Sequence, residues 1–172
     1  APTQNAPFRS GKGTLYEGGI RVPLMIRWPG LTKPGTECGA MVTSQDFFPT
    51  LAEGFGHKEV DLPKHDGVSL LPQLRNPKTR LTRKTLYWHY PHYYSRMTPG
   101  SAVRDGNWKL IHYYEDNRME LFNLNDDPSE TKDLAATQPA QVRDLRIKLN
   151  NWRKATDAKP PVPNPDWRPR KK

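Results

Sequence analysis

The run Arg9-Ser-Gly-Lys-Gly-Thr-Leu-Tyr-Glu-Gly-Gly-Ile-Arg-Val-Pro23 decides how the rest of the chain is read. Gly11 and Gly13 flank Lys12, and Gly18 and Gly19 follow one turn later. Glycine allows positive φ and lets a backbone approach a ligand closely. A lysine between two glycines is then a mobile point charge on a bare loop, suited to a compact anion. The plainer reading is a tight turn with Lys12 solvated. A phosphate-binding loop of the Gly-x-x-x-x-Gly-Lys-Ser/Thr kind is ruled out, because Gly13 directly follows Lys12.

Outward from this loop, residues 20–28 are apolar and β-tending and close on Pro29-Gly30, which predicts a buried inner strand. A helix is expected from Gln45 or Asp46, with Pro49 in its first turn and Gly54 or Gly56 ending it. Phe47, Phe48 and Leu51 would form its buried face, and Asp46 reads as a cap rather than a ligand. Residues 57–83 read as a polar seam in which Leu70, Leu71 and Leu74 dock on a larger body.

From Lys84 the pattern changes to short strands. Residues 85–90 are aromatic and β-tending, and residues 101–114 read as two strands joined at Asp105-Gly106, a hairpin signal. A further strand over 119–124 follows the polar turn 115–118, and residues 125–130 form another turn. Thr137 is the expected N-cap of a helix with Pro139 in its first turn. There Val142, Leu145, Leu149 and Trp152 recur as one apolar stripe. Residues 160–169 read as an extended, proline-rich tail.

The chain has 172 residues, of which 34% are hydrophobic and 18 are proline, a lean composition for a self-sufficient core. Such a chain suits a piece that buries apolar faces against something else. The formal charge of +9 is spread along the sequence apart from the tail Arg168, Arg170, Lys171, Lys172. A diffuse basic excess favours polyanions, sulfated glycans and nucleic acid alike, without choosing between them. No nucleic-acid recognition motif accompanies the charge, so no nucleic-acid partner is expected. One cysteine, Cys38, excludes an internal disulfide and a multi-cysteine zinc site. No apolar run is long enough to span a bilayer. The sequence opens at Ala1 without a methionine or a signal peptide, so a start further upstream is expected.

The loop from Gly11 to Pro23, followed by Ile26-Arg-Trp-Pro-Gly30, resembles the C-terminal half of the sulfatase family, the arylsulfatase-type enzymes of the alkaline-phosphatase-like superfamily. Asp66-Gly-Val-Ser-Leu-Leu-Pro-Gln-Leu74 resembles that family as well. So does Val103-Arg-Asp-Gly-Asn-Trp-Lys-Leu110, continued by Glu120-Leu-Phe-Asn-Leu-Asn-Asp-Asp-Pro-Ser-Glu-Thr-Lys-Asp-Leu134. The resemblance implies an α/β fold: the end of the catalytic domain over 1–56, a seam over 57–83, and an α+β subdomain over 84–156. In that subdomain an antiparallel sheet is packed by one C-terminal helix, and residues 157–172 form a basic tail. It also implies that Lys12 contacts the sulfate of the substrate, a sulfated carbohydrate or an aryl sulfate.

Tyr87-Trp-His-Tyr-Pro-His-Tyr-Tyr94 is the other unusual stretch. Its histidines could pair on zinc, but further ligands are needed and a proline separates them. They could instead belong to a sugar-binding rim, or to an aromatic strand edge docked on another domain. The resemblance places this region near the pocket mouth, which makes His89, Tyr90 and His92 candidate substrate-binding residues.

The same resemblance implies a formylglycine, made from the first residue of Cys-x-Pro-x-Arg or Ser-x-Pro-x-Arg, and a divalent cation, commonly calcium. Neither motif occurs here: Cys38 is followed by Gly-Ala-Met. The paired aspartates and the Asp-Asn-Gly segment of the family are absent too, so no metal ligand is assigned. The expected partner is therefore the missing N-terminal sulfatase domain, and the chain alone is expected to be inactive. A stand-alone basic, aromatic-lined module for sulfated glycans is the alternative. The family's members suggest a secreted or periplasmic setting.

Overall fold

The computed structural model describes residues 5–162 and 164–168. Of the expected tail, Pro163, Pro169, Arg170, Lys171 and Lys172 lie outside the described residues. The chain divides into two compact units, one formed by Ala1–Val22 with Thr85–Lys172 and the other by Pro23–Lys84. The described residues 5–22 thus group with the C-terminal sheet, whereas the sequence reading sets them with residues 23–56.

In the first unit, strands β1 (Thr85–Tyr90), β2 (Gly100–Asp105), β3 (Trp108–Tyr113) and β4 (Met119–Asn123) form an antiparallel sheet in the order β1-β2-β3-β4. The Asp105-Gly106 hairpin is present, with Gly106 at φ 59° and Asp105 opposite Trp108. Strand side chains alternate between faces. Val103, Leu110 and Leu121 therefore share one face, which packs on Leu145 and Leu149 of helix α4 (Pro139–Thr156). Tyr87 stacks flat on Trp152, the rings 2° from parallel and 5.0 Å apart. The expected stripe on α4 is the buried one. Its N-cap, however, is Gln138, not Thr137, and carries no side-chain cap, since Pro139 at the first helical position leaves one fewer amide to satisfy.

The opposite face of the sheet presents Ala102, Ile111, Tyr113 and Phe122, and Leu15 and Met97 cover it. Leu15 comes from the segment carrying the Gly-Lys-Gly loop. This segment ends in a single helical turn, α1 (Glu17–Ile20).

The second unit contains α2 (Phe47–Gly54), preceded by the 3-10 turn Ser44–Asp46, and the short α3 (Leu71–Arg75). Its organising group is Asp46, fully buried. The carboxylate accepts the Thr43 amide at 2.7 Å, closing a capping box, and the Val68 amide at 2.9 Å. Arg83 donates to both oxygens at 2.6 Å and also reaches the Met41 carbonyl at 2.8 Å. Burial pushes the Asp46 carboxyl up, and the Arg83 and amide bonds more than reverse this, holding it below its ordinary value. Asp46 thus caps as expected, though through the Thr43 capping box of the 3-10 turn and not by a side-chain bond onto α2. Its role as a tether to Val68 and Arg83 goes beyond the sequence reading.

Two expectations fail in this region. Residues 21–28 form no strand: Val22, Leu24, Met25 and Ile26 are 77, 47, 92 and 37% exposed. A strand is made by a neighbouring ladder, and the sheet among the described residues pairs none of these amides. On α2, Phe47, Phe48 and Leu51 are exposed, and Pro49 and Thr50 are buried instead. The buried side is set by polar tethers, with Thr50 Oγ1 donating to the Asp46 carbonyl and accepting the Leu70 amide. Leu70 and Leu71 are buried and Leu74 is half-buried.

Candidate functional site

Lys12 is exposed, while its flanks are held in place. Gly11 is buried, and its carbonyl accepts the Thr14 hydroxyl at 2.9 Å. Gly13 sits at φ 87° under the ring of Tyr94, where a Cβ would lie 2.2 Å from that ring. Only glycine fits this position, for both reasons. Tyr94 and Met97 exchange backbone hydrogen bonds at 2.9 and 3.1 Å, and the Met97 sulfur accepts the Leu15 amide at 3.1 Å. The Lys12 loop and the 94–97 turn are thereby brought side by side, though more than 80 residues separate them in sequence.

Charge fixes the far end of the loop. Lys109, on β3 and fully buried, lies 3.0 Å from Glu17 and 2.8 Å from Glu130. Arg104 reaches Glu17 at 3.2 Å. Burial raises the Glu130 carboxyl above its usual range, with Lys109 and the Glu17 amide opposing. Beside this cluster, Tyr16 donates to Glu120 at 2.6 Å and accepts from Tyr113 at 2.8 Å, with the Arg9 guanidinium over its ring at 4.0 Å. Burial and these hydrogen bonds push the Tyr16 hydroxyl well above its usual range, so it stays protonated. Sequence reasoning missed Glu17, Lys109 and Glu130. A lysine at an apolar position of a strand was the one available signal.

The three aromatic-stretch candidates are not brought together. Tyr90 packs on the Leu15 side of the sheet, with His92 edge-on at 5.7 Å and exposed. His89 points to the other face, because adjacent strand residues alternate. Its Nε2 donates to the Lys159 carbonyl at 2.9 Å, and its Nδ1 accepts from the Ser101 or Tyr114 hydroxyl at 2.8 or 3.0 Å. A rim shared by His89 and Tyr90 is not what this strand presents. His89 instead ties the segment beyond α4 to the sheet.

His112 has a parallel role. It accepts from Arg153 of α4 at 3.0 Å through Nδ1 and donates to Asn117 at 2.7 Å through Nε2. Burial lowers both histidines below their ordinary value. The Lys159 carbonyl and Asn117 partly oppose this, and Arg153 adds to it at each site. A depressed histidine makes the unfolded chain bind its proton first as pH falls. The contribution is whole above about 6.5 and is lost as pH drops from there through the lowered folded values. The melting temperature is therefore expected to fall between pH 7.5 and 5.5. The fall should shrink in the His89→Gln, His112→Gln double variant, and an equal fall in both proteins would contradict this.

Among the described residues no three His, Cys, Asp or Glu side chains gather as a metal ion would require. The calcium implied by the resemblance has no donor set there. Nor is any helix among them long and apolar enough to cross a membrane. What this surface offers is an exposed Lys12 next to a glycine packed under Tyr94, on a loop fixed at both ends.

Residues 10–155 match the family described as N-sulphoglucosamine sulphohydrolase, C-terminal. A sulfatase of Formosa agariphila is 38% identical over 96% of this chain, which covers 32% of that protein. The N-acetylglucosamine-6-O-sulfatase of Bacteroides thetaiotaomicron is 34% identical over 72% of the chain and 23% of its own length. The structure of BT4656 in complex with its substrate D-glucosamine-2-N,6-O-disulfate superposes with a TM-score of 0.63 at 28% identity, over 78% of this chain and 28% of that one. The structure of Ps i-CgsB in complex with a neocarrahexaose gives 0.70 at 26% identity, over 91% and 33%. The chain thus spans about a third of the length of the curated relative it matches over most of its own residues. With its four-stranded sheet, its single C-terminal helix and a match that runs from the lysine loop to the end of that helix, the chain belongs to the sulfatase family, as the C-terminal portion of such a protein.

Proposed function

We propose that this chain is the C-terminal part of a sulfuric ester hydrolase acting on a carbohydrate sulfate, with aryl sulfates as the simpler substrate class. In this reading Lys12 meets the sulfate, and His92 and Tyr90 stand near the sugar. The observation that carries it is an exposed Lys12 on a loop whose flanks are buried or packed under Tyr94. A lysine whose loop backbone is held in this way presents its charge to the transferring group with little backbone reorganisation. The names of the two carbohydrate-acting relatives favour a sugar substrate.

Lysine alone does not hydrolyse a sulfate ester, and the nucleophile motif and metal donors are not supplied by this sequence. The reaction therefore depends on a catalytic region N-terminal to the loop. Exposed Phe47, Phe48, Leu51 and Phe55 fit a surface that such a region covers, and they weigh against a free-standing glycan module. The 172-residue chain is expected to show no turnover of nitrophenyl sulfate, whereas a protein joining it to a sulfatase N-terminal region turns it over. Turnover by the isolated chain would overturn the proposal. Salt-sensitive retention on heparin, with a cooperative melt and no binding of an apolar dye, would favour the glycan-binding module instead.

A further inference from the structure

Both ends of the segment that carries Lys12 converge on one residue, Glu130. At the entry, Arg9 donates through Nη1 to the Glu130 carbonyl at 2.9 Å. At the exit, the Glu17 amide donates to Glu130 Oε2 at 2.6 Å. The remaining carboxylate oxygen faces Lys109 Nζ at 2.8 Å, and Lys109 in turn holds the Glu17 side chain. A bond from the Gly18 amide to the Arg9 carbonyl, 3.1 Å, closes the neck of the loop. Glu130 is fully buried and stands at φ 53°, in the left-handed region that a non-glycine residue rarely adopts. That conformation places its carbonyl and its carboxylate on two different strands of the same loop. A residue needed only to end a turn would not require a buried charge there.

We propose that Glu130 is a positioning residue for Lys12, fixing where the ammonium sits by clamping entry and exit of its loop to β3. The proposal rests on the reading of Lys12 as the sulfate contact. Glu130 touches no substrate in this account and acts only through residues 9–20. A displaced ammonium loses more in the transition state than in the ground state, so kcat falls and KM changes little.

The test is a double-mutant cycle in the protein that joins this chain to its N-terminal catalytic region, with nitrophenyl sulfate as the probe. Glu130→Gln keeps the acceptor for the Glu17 amide and removes the charge facing Lys109. It is expected to lower kcat about tenfold or more where Lys12 is present, since small misplacements of a catalytic group cost factors of this size. In the Lys12→Ala background it is expected to be nearly silent, because interacting residues are non-additive. The same tenfold loss in both backgrounds would overturn the proposal and leave Lys12 as the sulfate contact. A silent Lys12→Ala would instead remove the reading on which the proposal stands. Should Glu130→Gln fail to fold, Arg9→Gln breaks the clamp from its solvent side, and the same cycle then decides.

Discussion

Lys12→Ala, made in the protein that joins this chain to its catalytic region, is expected to lower kcat/KM by about 10²–10³-fold, the usual cost of removing one preorganised electrostatic donor. The loss should fall mainly on kcat. A sulfate ester carries one negative charge in the ground state, and charge builds on its oxygens and leaving group as the ester bond breaks. An ammonium already in place gains most from that build-up. Arginine at position 12 should restore only part of the rate. Its planar fork is wider than an ammonium, and the loop backbone is held at Gly13 under Tyr94. Unchanged steady-state kinetics for Lys12→Ala would remove this residue from the site.

Lys109→Ala is expected to destabilise the sheet unit by about 3–5 kcal/mol, the range for stripping one partner from a buried ion pair. For a unit of this size that is a fall in melting temperature on the order of 10–20 °C. The reason is geometric: Lys109 is fully buried between Glu17 and Glu130, and its loss leaves the Glu130 carboxylate without a cation, while Glu17 keeps Arg104. Replacing the pair together, Lys109→Met with Glu130→Gln, should recover much of the loss, because Glu17 keeps Arg104 and no other buried charge is left unpaired. A single Lys109→Ala that melts within about 1 kcal/mol of the parent would show that the cluster is hydrated and holds little.

Much of this unit was legible in its sequence because the determining contacts are local. Asp105-Gly106 fixes a hairpin by backbone conformation alone, and Leu145 and Leu149 fall on one helical face by spacing. The helix start was misplaced by one residue, at Thr137 instead of Gln138, since a proline at the first turn is compatible with either. Where partners are distant, the sequence is silent. Residues 21–28 read as a buried strand because apolar runs record a need for cover and not what supplies it. Phe47, Phe48 and Leu51 carry the same ambiguity. Lys12 is singled out by the family resemblance, since its residues alone read more plainly as a tight turn with a solvated lysine. Glu130 could not be singled out, because its function depends on Arg9, Glu17 and Lys109 meeting it from two other parts of the chain.

The order β1-β2-β3-β4 follows the order of synthesis, so every pairing within the sheet closes a short stretch of chain. The seat of the lysine loop does not: Glu17 is made 92 residues before Lys109. Closing a loop of that length is entropically dearer than any hairpin, and contacts so distant in sequence form late. During translation the lysine-bearing arm therefore emerges well ahead of the platform that will hold it. It is the last element to dock on a meander that assembles without it.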